Sequence, residues 1–168
     1  MRETTRRRFL KQGGLGLAGA TLAVAGASSR ALGANERINL GVIGLSRGQS
    51  LCQAFAAQDD ARLAYVCDTD RQRLEKVQKR FNADKAVVDF RKILDDKSVD
   101  AVAIATPDHW HAPAAILACE AGKHVYVEKP CSHNIREGRL MIEAARRNDR
   151  VMQVGSQSRS TTVLANGI

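Results

Sequence analysis

Arg37-Ile38-Asn39-Leu40-Gly41-Val42-Ile43-Gly44-Leu45-Ser46-Arg47-Gly48 carries an apolar run straight into a glycine turn. Residues 38–43 read as a β-strand, because Ile, Leu and Val dominate and nothing there breaks an extended chain. Residues 44–48 read as a tight turn, and 49–58 as a helix with Leu51, Ala54 and Phe55 on one face. Moving outward, the alternation repeats. Strands are expected at 63–67, 86–88, 101–105, 124–127 and 151–154, and helices at 71–82, 90–94 and 111–121. Gly122 stops the last of these, and Asn134 with Glu137 three residues on forms a capping box for a further helix reaching about Arg147. Strand–helix alternation of this kind implies an α/β fold, a doubly wound parallel sheet with helices on both faces. The strands lack two-residue polar alternation, as expected when both faces are buried.

In such a sheet ligands bind beyond the carboxyl ends of the strands. After the first strand, Gly44 supplies the sharp turn, and Leu45, Ser46 and Arg47 lead into Gly48, which is expected to let backbone approach a phosphate. A strict dinucleotide fingerprint would place glycines at 46 and 49, where this chain has Ser46 and Gln49. A rival reading is literal: Gly44-Leu45-Ser46-Arg47-Gly48 is G-x-S-x-G, the nucleophile elbow of serine hydrolases, with Ser46 needing a histidine base and an acid. Several strands normally precede that elbow, whereas here it follows the first. The dinucleotide reading also demands an acid at the end of the second strand, and Asp68 stands there, 24 residues after Gly44. Its carboxylate can accept bonds from adenosine ribose hydroxyls and repel a 2′-phosphate, which favours NAD, while Arg71 and Arg73 nearby leave NADP open.

The fourth strand ends at Thr106-Pro107-Asp108-His109-Trp110-His111, and the fifth at Glu128-Lys129-Pro130. With these two motifs the chain resembles the N-terminal domain of the Gfo/Idh/MocA oxidoreductase family from about Arg37 to Arg159. The resemblance implies that Lys129 faces a substrate hydroxyl beside the nicotinamide, that Glu128 contacts the nicotinamide ribose, and that Pro130 fixes the turn. It further implies that Thr106, Pro107, Asp108 and His111 line the cofactor cleft. It implies hydride transfer to or from a sugar or cyclitol hydroxyl carbon. Within the family, a glycosidase using tightly held NAD for transient oxidation is the runner-up. A serine hydrolase through Ser46, or a non-catalytic nucleotide- or sugar-binding module, are the readings from other classes.

The chain has 168 residues, 44% hydrophobic and only 4% aromatic, with 26 Lys and Arg against 18 Asp and Glu. Six bases and one acid fall within residues 1–34, leaving a nearly balanced remainder of 20 bases and 17 acids, so the net +8 does not argue for nucleic acid. Thr5-Arg6-Arg7-Arg8-Phe9-Leu10-Lys11, followed by a short apolar run to Gly26 and small residues between Ala27 and Ala34, reads as a twin-arginine signal peptide. The run is too short and too rich in Gly and Ala for stable membrane insertion. It implies the twin-arginine machinery as a partner and a periplasmic or otherwise exported protein. Gly14-Leu15-Gly16-Leu17-Ala18-Gly19 spells the dinucleotide fingerprint, yet no strand precedes it, so it is set aside. His109 and His111 make an H-x-H pair without supporting ligands, and no metal is expected. Cys52, Cys67, Cys119 and Cys131 are expected as small core residues. The expected organisation is a signal over 1–34, a Rossmann domain over 35–156 and, over 157–168, the start of an α+β substrate domain that is cut short. The resemblance allows a homo-oligomeric parent.

Overall fold

The computed structural model describes residues 37–157. Six strands form one parallel sheet in the order β3-β2-β1-β4-β5-β6. They are β1 (Ile38–Ile43), β2 (Ala61–Cys67), β3 (Lys85–Val87), β4 (Ala101–Ile104), β5 (His124–Glu128) and β6 (Met152–Gly155). The helices between them are α1 (Gly48–Ala56), α2 (Arg71–Phe81), α3 (Arg91–Asp95), α4 (His111–Glu120) and α5 (Ile135–Arg147), with a short 3-10 turn at Asp108–Trp110. The order reverses between β1 and β4, the switch point of a Rossmann fold.

Side chains leave the sheet alternately, and each set finds its own apolar layer. Leu40 and Val42 of β1 join Ala103 of β4 with Leu51 and Cys52 of α1 and Leu74 and Val77 of α2. Ile43, Val102, Ile104, Val125 and Val127 face the other way, onto Ile93 of α3, Ala112 to Cys119 of α4 and Met141 of α5. Leu40 pairs with Leu63, but Gly41 pairs with Tyr65, so Ala64 is an extra residue on β2. That bulge explains why the consecutive Ala64 and Tyr65 both belong to the second layer.

Local chemistry accounts for the boundaries that differ from expectation. β2 begins at Ala61 rather than 63, because Ile38 pairs with Ala61 and backbone pairing ignores the polarity of Arg62. β6 is shifted one residue onward: Val151 spends its N–H on the His124 ring (3.0 Å) instead of the ladder. Asn82 stands just past α2 in the left-handed conformation (φ 50°) and ends it. Gly122, also at positive φ, ends α4. The Asn134 side chain accepts from the Glu137 N–H at 2.9 Å, whereas Glu137 returns its bond to the His133 N–H at 3.0 Å. Among the described residues all four cysteines are free, with Cys52, Cys67 and Cys119 buried and Cys131 half-buried. The signal-peptide segment and residues 158–168 of the expected second domain lie outside the described residues.

Candidate cofactor and active site

The register brings the strand ends together. Ile43 pairs with both Cys67 and Ile104, Ile104 pairs with Val127, and Glu128 pairs with Gly155. The motifs that follow β1, β2, β4 and β5 therefore emerge at one end of the sheet. A cleft of about 420 Å³ opens there.

Its floor is the β1–α1 turn. Gly44 adopts φ +86°, and a Cβ at this position would lie 2.7 Å from the Ala105 carbonyl and the Thr106 nitrogen. Glycine is demanded twice over, by conformation and by the close passage of β4. Gly48 is different. A Cβ there would press within 3.1 Å of Val42, so its absence lets α1 sit close on the sheet. The Leu45 side chain is fully buried, and its N–H donates to Asp68 Oδ2 at 2.7 Å. What Leu45 offers the cleft is shape, since its donor is spent. Ser46 and Arg47 are exposed at the start of α1, where backbone N–H groups are short of partners and the helix dipole favours an anion.

Asp68, at the end of β2, is a buried carboxylate. Besides Leu45 it accepts from the Asp70 N–H (2.9 Å) and pairs with Arg73 (3.2 Å). It thus ties the glycine turn to the start of α2 while still lining the cleft. Val88, Phe90 and Trp110 supply an apolar wall, with Phe90 and Trp110 edge to face at 6.3 Å. Sequence reasoning missed this wall; the signal was Trp110, half exposed inside the Thr106–His111 motif.

Thr106 and Pro107 line the cleft, and the Thr106 hydroxyl oxygen is buried without a hydrogen-bond partner among the described residues. Asp108, exposed, accepts from the His109 N–H at 2.9 Å and lies 3.6 Å from the His133 ring. These contacts, the backbone N–H foremost, hold its carboxyl below the usual carboxylate value. His111 is buried behind the cleft and does not line it. Its Nδ1 lies 2.6 Å from the Pro130 carbonyl and its Nε2 2.8 Å from the Thr106 carbonyl, so the ring staples the β4 loop to the β5 loop. Both of its ring nitrogens thus face backbone oxygens, and what it gives the site is the joining of the two loops. Arg47, Asp108 and Glu128 also stand outside the cleft lining. Glu128 is buried at the end of β5, with Arg47 3.8 Å away across the turn. Lys129 is exposed beside it, and the Lys129–Pro130 bond is cis.

The elbow reading of Ser46 loses its geometric support. No histidine hydrogen-bonds Ser46 among the described residues, and His111 is committed to backbone, so the elbow lacks its base. No group of three or more metal-binding side chains gathers among the described residues. A second hollow of about 470 Å³ lies between α5 and β6, but its lining is apolar side chains and arginines, with no acid or histidine converging on it.

A glycine cradle at a switch point, an acid after β2 and an orphan hydroxyl after β4 define a dinucleotide-binding Rossmann domain. Residues 38–156 match the Gfo/Idh/MocA oxidoreductase family, NAD-binding Rossmann fold, and the chain belongs to that family. It is similar to myo-inositol 2-dehydrogenase of Thermotoga maritima, 32% identical over 123 residues, covering 73% of this chain and 37% of that protein. It is also similar to a glycosyl hydrolase family 109 protein of a Shewanella species, 32% identical over 166 residues, covering 83% and 36%. Among solved structures, levoglucosan dehydrogenase in complex with NADH superposes with a TM-score of 0.67 at 31% identity, over 70% of this chain and 34% of that one. The chain thus spans little more than a third of the length of these relatives.

Proposed function

We propose that this chain is the nucleotide-binding part of an exported enzyme that oxidises or reduces a sugar or cyclitol at one hydroxyl carbon. The observation that carries the reading is the convergence of the Gly44 turn, Asp68, the unpartnered Thr106 hydroxyl and the Glu128-Lys129-Pro130 turn at one end of the sheet. Relatives named as inositol and levoglucosan dehydrogenases support the substrate class.

The residues fit a bound NAD: the Gly44 cradle gives backbone access, and Thr106 offers a hydrogen-bonding group that the protein leaves unused. NAD supplies the two-electron acceptor or donor. The start of α1 holds the pyrophosphate through the Ser46 and Arg47 amides. Asp68, with acceptor capacity left beside its three protein partners, holds the adenosine ribose and disfavours a 2′-phosphate, although Arg73 beside it keeps NADP within reach. Glu128 holds the nicotinamide ribose. Lys129 holds the substrate oxygen and assists its proton as the C–H bond is broken or made. The Thr5–Lys11 signal supports twin-arginine export, and sequencing the amino terminus of exported protein is expected to place the new end between Ala27 and Ala34. An exported chain still beginning at Met1 would overturn that part.

The binding test uses Trp110, the chain's single tryptophan, which lines the cleft. NADH should quench its emission and saturate near one nucleotide per chain, and denaturing fresh protein should release nucleotide detectable by mass spectrometry. A folded chain that neither releases nor binds nucleotide rejects the proposal. In the full-length enzyme, Lys129→Ala should lower turnover about 10²–10⁴-fold while leaving NADH affinity intact. Unchanged turnover would remove Lys129 from the chemistry. The similarity to a family 109 glycosyl hydrolase over 83% of the chain favours one second reading, NAD-dependent glycoside cleavage. Sugar release from a glycoside without net change in nucleotide would select it.

A further inference from the structure

Beyond β6 the chain turns back over the end of β5. Gln157 Nε2 donates to Glu128 Oε1 at 2.7 Å and to the Tyr126 hydroxyl at 3.2 Å. A carboxylate accepts only, so the amide must present its NH₂ to Glu128, and both of its hydrogens are then used. Tyr126 is itself located from two sides. Phe55 of α1 meets its ring edge to face at 6.4 Å, and Gly155 lies beneath its hydroxyl so closely that a Cβ there would sit 2.5 Å from the oxygen. The remaining neighbours of the carboxylate are weaker: the Lys129 N–H at 3.3 Å on Oε2 and the Arg47 guanidinium at 3.8 Å on Oε1. Glu128 is only 3% exposed, so its orientation rests on these groups rather than on water.

We infer that Gln157, held by Tyr126 over Gly155, is a positioning residue that sets the Glu128 carboxylate for the nicotinamide half of the dinucleotide. The inference rests on the proposed role of Glu128. An ionised carboxylate has about four acceptor sites, and the protein donors named here leave capacity for a ribose hydroxyl. With one oxygen fixed by Gln157, that capacity keeps one direction. Without Gln157 the buried group loses its shortest bond and swings toward Arg47. The adenylate half, bound at Asp68 on the far side of the switch point, should not register the change.

The test is Trp110 fluorescence titration of the full chain with NADH and, separately, with ADP, which carries the adenylate half alone. Gln157→Leu should reduce the preference for NADH over ADP about tenfold, the equivalent of one buried hydrogen bond to a charged group. ADP affinity should hold within about twofold. Tyr126→Phe removes only the hydroxyl that holds the amide. It should reduce the preference about threefold, and it decides the matter alone if Gln157→Leu fails to fold. An unchanged preference, or equal weakening of both ligands as a general packing defect would give, overturns the positioning role. A wild-type chain with no preference for NADH over ADP would instead overturn the nicotinamide assignment of Glu128 on which the inference stands.

Discussion

At the scale of single residues, the site is organised around positions where the backbone itself is the functional surface. Gly44 is the clearest. Its N–H pairs with the Cys67 carbonyl at 2.8 Å, its φ is +86°, and the next residue's N–H is taken by Asp68. The turn is thus fixed from β2 on one side and confronts β4 on the other. Gly44→Ala should therefore combine left-handed strain with a backbone clash that no side-chain rotation relieves. We expect about 2–4 kcal/mol of lost stability by urea denaturation, together with loss of NADH binding. A loss below about 1 kcal/mol with binding retained would show that the turn has room to relax. Neither glycine nor acid is unusual in the sequence, yet the 24-residue interval from Gly44 to Asp68 already suggested their partnership. What the interval did not reveal is its currency, a bond from the Leu45 N–H. That bond makes Asp68 part of the turn's own structure as well as a candidate for ribose.

Among the elements, legibility followed the distance between partners. The caps of α2 and α5 depend on side chains binding N–H groups two or three residues away, at Asp70 and Asn134, and such spacing is visible in one dimension. The strands were visible too, because burial on both faces needs uninterrupted apolar runs such as Ala101–Ile104. The 3-10 turn at Asp108–Trp110 was not, since no periodicity marks three residues. Lys123 illustrates the other failure. It is 3% exposed just before β5, with Nζ donating to the Asp96 and Val99 carbonyls at 2.6 and 2.9 Å. Burial lowers its ammonium below the usual lysine value. A lysine between Gly122 and His124 reads as a surface charge until the fold supplies two carbonyls from a loop far back in the chain. Gln157 was missed for the same reason, because its partners Glu128 and Tyr126 are 29 and 31 residues away. The α1–β6 part of the site is thus a product of topology, whereas its strand-end motifs are local.

For the whole molecule, the β2–β3 side of the sheet carries two carboxylates beside α3 that respond to acid. Asp96, following α3, accepts from the Tyr65 hydroxyl at 2.7 Å and pairs with Lys85 at 3.1 Å, joining β2 and β3 to the loop that Lys123 anchors. Bonds from Ser98, then from Tyr65 and Lys85, hold its carboxyl far below the ordinary carboxylate value. Asp89, beside α3, is lowered to about 2, first by the Arg91 guanidinium and then by the Arg91 N–H. In an unfolded chain both groups would titrate at about 3.9. The folded pKa values are the lower ones, so the unfolded state binds more protons through this window, and stability falls as pH falls. The contribution is complete above about pH 4–5 and is lost as pH drops through 4 toward 2 and below. Both groups are half-buried and still reached by solvent, which predicts a gradual decline weakened by salt rather than abrupt collapse. The urea midpoint should stay level from pH 7 to 5 and then decline. Asp96→Asn, which keeps the shape but removes the charge, should show a lower midpoint at pH 7 and a flatter decline. If the variant and the parent decline in parallel, Asp96 is not the group that couples the α3 side of the sheet to pH.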